Sequence, residues 1–93
     1  MKRVVLLKAD GTREVLTPEK KPTLEQMQKW VGGDIEPIHR DTRGRGIQFD
    51  GQAAVLVLNE EGRLHGLALN KQACQLFDFD IVGDCFVLQG WRL

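Results

Sequence analysis

The strongest constraint on this chain is a series of short signatures that divide it into brief segments. In order they are Val31-Gly32-Gly33-Asp34-Ile35-Glu36, Asn59-Glu60-Glu61-Gly62, Gly66-Leu67 with Asn70, and Ile81-Val82-Gly83-Asp84. Gly32-Gly33 follows an apolar stripe, where an αL residue ends a helix at little cost only if it lacks a Cβ. Asn and Asp beside glycine serve turns and caps. The pieces between these signals have room for helices of two to three turns and short strands, the vocabulary of a small α+β fold.

Read in sequence, Val4 to Lys8 is a β-branched, apolar run. Asp10-Gly11 turns it, and Arg13-Glu14-Val15-Leu16 returns beside it as a hairpin. A polar connector with Pro18 and Pro22 leads to Thr23, which suits an N-cap with Gln26 three residues on as a capping box. Leu24, Met27, Trp30 and Val31 form one apolar stripe, so a helix is predicted over 23–31. Ile35 to Ile38 leaves as a strand that Pro37 marks as an edge. After the loop 39–46, Ile47-Gln48-Phe49 alternates and Asp50-Gly51 turns. Ala53 to Leu58 reads as a strand buried on both faces. Asn59-Glu60-Glu61-Gly62 is expected to turn the chain into a second hairpin with Arg63 to Leu67. Asn70 is expected to cap a helix over 70–77 with Ala73, Leu76 and Phe77 inside, and Asp84 to Leu88 to form the last strand. The expected architecture is α+β, a small mostly antiparallel sheet with two short helices packed on one of its faces. Leu24, Trp30, Val55, Val57, Leu76 and Phe86 are the expected core.

Ninety-three residues read as one domain, 1–93, with an Arg/Gly-rich loop at 39–46 and a short tail at 90–93. No apolar run is long enough to span a bilayer, and the N-terminal one is closed by Lys8 and Asp10, so a cytoplasmic protein without a membrane role is expected. The formal net charge is zero, with ten Lys/Arg against seven Asp/Glu in residues 1–45 and three against six in 46–93. That balance argues against non-specific nucleic-acid binding as the main role and against a DNA mimic.

Candidate chemistry is sparse. Cys74 and Cys85 stand alone among apolar neighbours and read as inert thiols. Glu60 and Glu61 supply carboxylates, but adjacent strand residues point apart and no ligand spacing accompanies them, so neither metal nor cofactor is expected. Gly32-Gly33-Asp34 lies at the wrong end of a helix to cradle phosphate. The chain has no serine, and neither His39 nor His65 is near a cysteine in sequence. The loop His39 to Gly46 is the exception: Arg40, Arg43 and Arg45 exceed what a turn requires, and arginine forks between glycines suit phosphate or carboxylate. Asp41 offers local neutralisation. Glu36 and Asp84 are further ligand-site candidates, because a turn requirement explains neither fully.

These signatures together resemble the domain-of-unknown-function family numbered 3846. The matching residues are Val31, Gly32, Gly33, Ile35, Glu36, Asn59, Glu60, Glu61, Gly62, Gly66, Leu67, Asn70, Ala73, Ile81, Gly83 and Asp84, over residues 1–89. The Arg-Gly loop and Trp91-Arg92-Leu93 fall outside the shared pattern. The resemblance implies a small accessory protein of phages and plasmids, without an assigned catalytic residue.

The functional expectation is a non-enzymatic binding module working through a protein partner or its own copies, with the 35–38 edge strand as one surface. The alternative is a binder of a small anion, nucleotide or nucleic acid through Arg40, Arg43 and Arg45. A further alternative is an enzyme using Glu36 or Asp84.

Overall fold

A computed structural model describes all of residues 1–93. Its strands are β1 (Arg3–Leu7), β2 (Arg13–Leu16), β3 (Ile35–Ile38), β4 (Gln48–Phe49), β5 (Gln52–Ala53), β6 (Val55–Asn59) and β7 (Cys85–Gln89), and its helices are α1 (Leu24–Val31) and α2 (Lys71–Phe77). Five strands form one antiparallel sheet in the order β2-β1-β7-β6-β3, and β4 and β5 form a separate ribbon. The α+β expectation holds, with both helices near their predicted bounds.

Local chemistry accounts for the boundaries. Thr23 and Gln26 make the reciprocal capping box, each side chain accepting the other's backbone N–H at 3.1 Å. Gly32 closes α1 at φ +78°, its N–H donating to the Gln28 carbonyl. In the β4–β5 ribbon Asp50 (φ +52°) and Gly51 (φ +74°) both take the positive φ of a tight hairpin turn.

The helices sit on opposite faces, not on one. Along β1, Val4 and Leu6 join β6, β7 and α1 (Met27, Val31) in one core, whereas Val5 and Leu7 join Leu56, Val87 and α2 (Ala73, Phe77) in another. Successive strand residues point to opposite sides, so the two cores lie above and below the sheet. The cause is in the central strands. Val55, Leu56 and Val57, and all five residues of β7, are buried, so each side needs a cover. Ile47 and Phe49 complete the α2 side. On the α1 side Trp30 packs edge-on to Phe86, with ring centres 5.2 Å apart and planes at 74°.

Two further expectations fail. Residues 60–66 do not return as a strand but wind on as turns, with His65 N–H donating to Glu61 O and Leu67 N–H to Gly62 O. β6 already has β7 and β3 on its two edges, so a returning strand has nothing to pair with. Leu24 (55% exposed) and Leu76 (43%) are outside the core, because each two-turn helix touches the sheet through an i,i+4 pair, Met27 with Val31 and Ala73 with Phe77. Val55, Val57 and Phe86 are buried as expected, and Trp30 is half-buried.

Pro37 lies on an edge strand as expected. The Asp34 carbonyl accepts from Glu60 N–H at 2.9 Å, so by alternation the main-chain groups of Ile35 and Pro37 face outward. Pro37 presents no donor there.

Three buried amides tie the layers together. Asn70 donates through Nδ2 to the carbonyls of Leu7 (2.8 Å) and Gly83 (2.9 Å), while its Oδ1 accepts the Ala73 N–H of α2. Asn59 donates to the Val31 carbonyl at the end of α1 (3.0 Å) and accepts from Glu61 N–H (2.8 Å). Gln89 donates to the Phe49 carbonyl (2.8 Å) and accepts from the Arg3 guanidinium. Replacing Asn70 by Ala removes a buried donor from the Leu7 and Gly83 carbonyls and the cap from one helix N–H, so urea unfolding of Asn70→Ala should show a loss of about 2–4 kcal/mol. Exposed substitutions such as Gln75→Ala should stay within about 0.5 kcal/mol.

Candidate functional site

The sequence-predicted site residues do not converge. Arg45, Glu36 and Asp84 border separate clefts, and Arg40 and Arg43 line none of them.

The largest cleft, about 460 Å³, opens beside the arginine loop on the α2 side of the sheet. Its floor is Ile47, Leu76 and Phe77, and Asp41, Arg45 and Asp78 stand around it. Asp41 organises the loop. Its Oδ1 accepts the backbone N–H groups of Arg43 and Arg45, each at 2.9 Å, and its Oδ2 lies 3.5 Å from the Arg45 guanidinium. The Arg45 N–H first, then that of Arg43 and the Arg45 charge, hold this carboxyl below the usual carboxylate range against the opposing effect of partial burial. The loop closes through Asp41 N–H to Arg45 O (2.7 Å) and Gly44 N–H to Asp41 O (3.0 Å). Arg40 donates to the Gly44 carbonyl at 3.0 Å. Of the three arginines, only the Arg43 side chain has no partner within the chain.

Glu36 borders a smaller cleft of about 140 Å³ with Glu60, Glu61, Arg63 and Asp80. The turn there is set by Asn59, whose carbonyl accepts from Gly62 N–H at 3.2 Å, and Glu61 pairs with His65 at 3.4 Å. Asp84 lies elsewhere, in a groove beside α1 with Lys8, Lys29 and Trp30. Its Oδ1 accepts the Ala9 N–H at 2.8 Å and so fixes the end of β1. Glu36 and Asp84 therefore share no site.

The nucleophiles and bases are otherwise engaged. Burial first, and then the neighbouring Asp84 charge, push the Cys85 thiol up to about 12. The Cys74 sulfur accepts from Ile81 N–H (3.2 Å) and faces the Ile81 carbonyl (3.5 Å). Both cysteines are free thiols. His39 bonds the Leu93 carbonyl at 3.0 Å.

The family model described as Domain of unknown function (DUF3846) matches residues 1–91. The chain belongs to the DUF3846 family. No curated protein and no solved structure matches it. The family-like residues of this DUF3846 chain are mainly structural. A Cβ on Gly33 would stand 3.0 Å from the Asn59 amide, and one on Gly62 3.0 Å from Val82, so both glycines admit close neighbours. Gly83 (φ +77°) adds a clash at 2.6 Å with Leu67 to its left-handed backbone. Sequence reasoning missed Lys8, Lys29 and Trp30 as a group, because Lys8 follows β1 while Lys29 and Trp30 lie in α1, where Trp30 fits the core stripe. Leu76 fits the helical stripe of α2 by spacing, yet it stands exposed at the cleft.

Two pH effects follow for this DUF3846 protein. A thiol whose pKa is raised on folding adds stability below its unfolded value, and that stability is lost as pH rises from about 9 towards about 12. Stability of the native chain should fall across that window, and Cys85→Ala should flatten the fall; alkaline urea titrations check it. Asp41 has the opposite sign. Its contribution is present above the ordinary carboxyl pKa and is lost as pH falls through the lowered folded value. The amide resonances of Arg43 and Arg45 should keep their positions down to below the usual carboxylate range, and Asp41→Asn should displace them at neutral pH.

Proposed function

We propose that this protein is a non-enzymatic binding module that docks a segment of a partner protein on the face formed by the 39–46 loop and α2. The observation that carries the reading is the Asp41-centred loop. Its backbone is fixed by internal hydrogen bonds before any partner arrives, so little ordering cost attaches to binding. Arg45, held at the cleft by Asp41, stands beside the apolar floor of Ile47, Phe77 and exposed Leu76. A guanidinium fork suits a carboxylate, and the floor suits a bulky apolar side chain. The fitting partner segment thus carries an acidic residue next to a large apolar one. The engaged histidines and the high-pKa Cys85 thiol support a role without chemistry.

This surface differs from the 35–38 edge strand, where Pro37 withholds a donor. It also weighs against nucleic acid, since Arg45 is the one cation lining the cleft and Arg40 is engaged with the Gly44 carbonyl, so the three arginines do not present one row of phosphate contacts. No helix is long and apolar enough to cross a membrane. A cytoplasmic accessory role in a phage or plasmid, the setting the family resemblance implies, suits a compact module of this kind.

The test is selection of a displayed random-peptide library on the immobilised protein. Enriched peptides should pair Asp or Glu with a bulky apolar residue, and Arg45→Glu or Leu76→Asp should each weaken them about tenfold or more. Peptides that bind the double variant unchanged would refute the site. Duplex DNA titrated in parallel separates the alternative: three phosphate contacts by Arg40, Arg43 and Arg45 give a log–log salt slope near about −2.7.

A further inference from the structure

On the other side of the sheet, the groove beside α1 has a composition that the proposed docking face does not use and that the fold uses only in part. Two adjoining depressions of about 290 and 310 Å³ share Lys29, Trp30 and Asp84 as common walls. Lys8 and Glu14 border the first, and Gly32 and Gly83 the second. Neither lysine has a carboxylate within ion-pairing distance; the ion pairs of the chain are Arg3–Asp50, Arg45–Asp41 and His65–Glu61. Two unpaired ammonium groups thus border one groove, and each supplies three donors to an anion.

Trp30 gives the groove its second property. The indole packs edge-on against buried Phe86, and its half-buried surface borders both depressions as well as a third one beside Leu16, Pro18 and Pro22. A rigid, half-exposed indole is a stacking surface for a planar ring. Asp84 gives the third. One carboxylate oxygen is bonded to the Ala9 N–H, which fixes the group's orientation. A carboxylate has about four lone-pair sites, so most of its accepting capacity remains for ring N–H donors.

We infer that this groove binds a nucleoside monophosphate, with the base on Trp30, the phosphate between Lys8 and Lys29, and base N–H groups donating to Asp84. Lys29, Trp30 and Asp84 wall both depressions, so one ligand lying across them meets all three side chains. Glu14 and Asp84 offset the two lysines, so a monoanionic or dianionic ligand fits where a continuous phosphate backbone would meet repulsion.

The experiment is a titration of the full chain, carried out in a Trp91→Phe background so that Trp30 alone reports fluorescence, with GMP, AMP, UMP and inorganic phosphate. A saturable quench by at least one nucleotide is expected, with inorganic phosphate weaker by about tenfold or more because it lacks the ring. Lys8→Ala and Lys29→Ala, both changes to surface side chains, should each weaken the nucleotide by about tenfold, the size expected for a charge-assisted contact. Amide shifts on binding should map to Ala9, Lys29–Gly32 and Gly83-Asp84. No saturable response up to about 5 mM would overturn the assignment, as would affinities indifferent to both lysine changes. Shifts confined to residues 39–48 would move the ligand to the opposite face and also overturn it. Tighter binding of an oligothymidylate than of any mononucleotide would show a strand binder instead.

Discussion

The two central strands are apolar on both sides, and the rest of the structure answers that requirement. β6 and β7 leave no polar face for water, so each side of the sheet must be covered. Each cover includes a helix of only two turns, too short to persist by its own hydrogen bonds. Such helices stay in place only if their ends are anchored. The buried amides supply the anchors at the points where strands end and helices begin or stop: Asn59 grips the last turn of α1, and Asn70 starts α2 while holding the carbonyls of Leu7 and Gly83. An amide serves here because it donates and accepts at once, which no carboxylate or ammonium group does.

This explains what the family-like signatures are. Gly33 and Gly62 admit Asn59 and Val82 at close range, and Gly83 turns the chain so that its carbonyl meets Asn70. Residues that sit far apart in sequence are thus parts of two knots. A pattern of this origin marks a fold, and Arg45, Leu76, Lys8 and Lys29 stand outside it.

Much of the fold was legible because it is written in local chemistry. Thr23 with Gln26, Gly32, Asp50-Gly51 and Asn70 as a cap each act on neighbours within a few residues, and each works as read. What was not legible depends on non-local facts. That β6 has no free edge, and that 60–66 therefore cannot return as a strand, follows only once β3 is known to lie beside it. Helix placement on two faces follows from the burial of both sides of β7, whereas the sequence pattern there was read as a strand alone. Leu24 and Leu76 fit a helical stripe, but a two-turn helix meets the sheet along a shorter line than its stripe. The candidate sites were less legible still. The arginine loop stood out by composition, yet the role of Asp41 as its organiser needs the backbone geometry. The α1 groove draws on positions 8, 29, 30 and 84, brought together from three distant stretches of the chain.

The proline at position 37 has a consequence for assembly. A sheet of five strands has two margins, and at the β3 margin Pro37 removes one of the few main-chain donors that a neighbour could use. At the β2 margin, Arg13 and Val15 keep theirs, since Lys8 N–H pairs inward with the Thr12 carbonyl and alternation turns those two residues out. Growth by strand addition is therefore polar: one side can accept a neighbour and the other resists it. Ile35 still turns its N–H outward at the β3 margin, so Pro37 weakens that edge as a template while the β2 margin keeps the fuller row of donors.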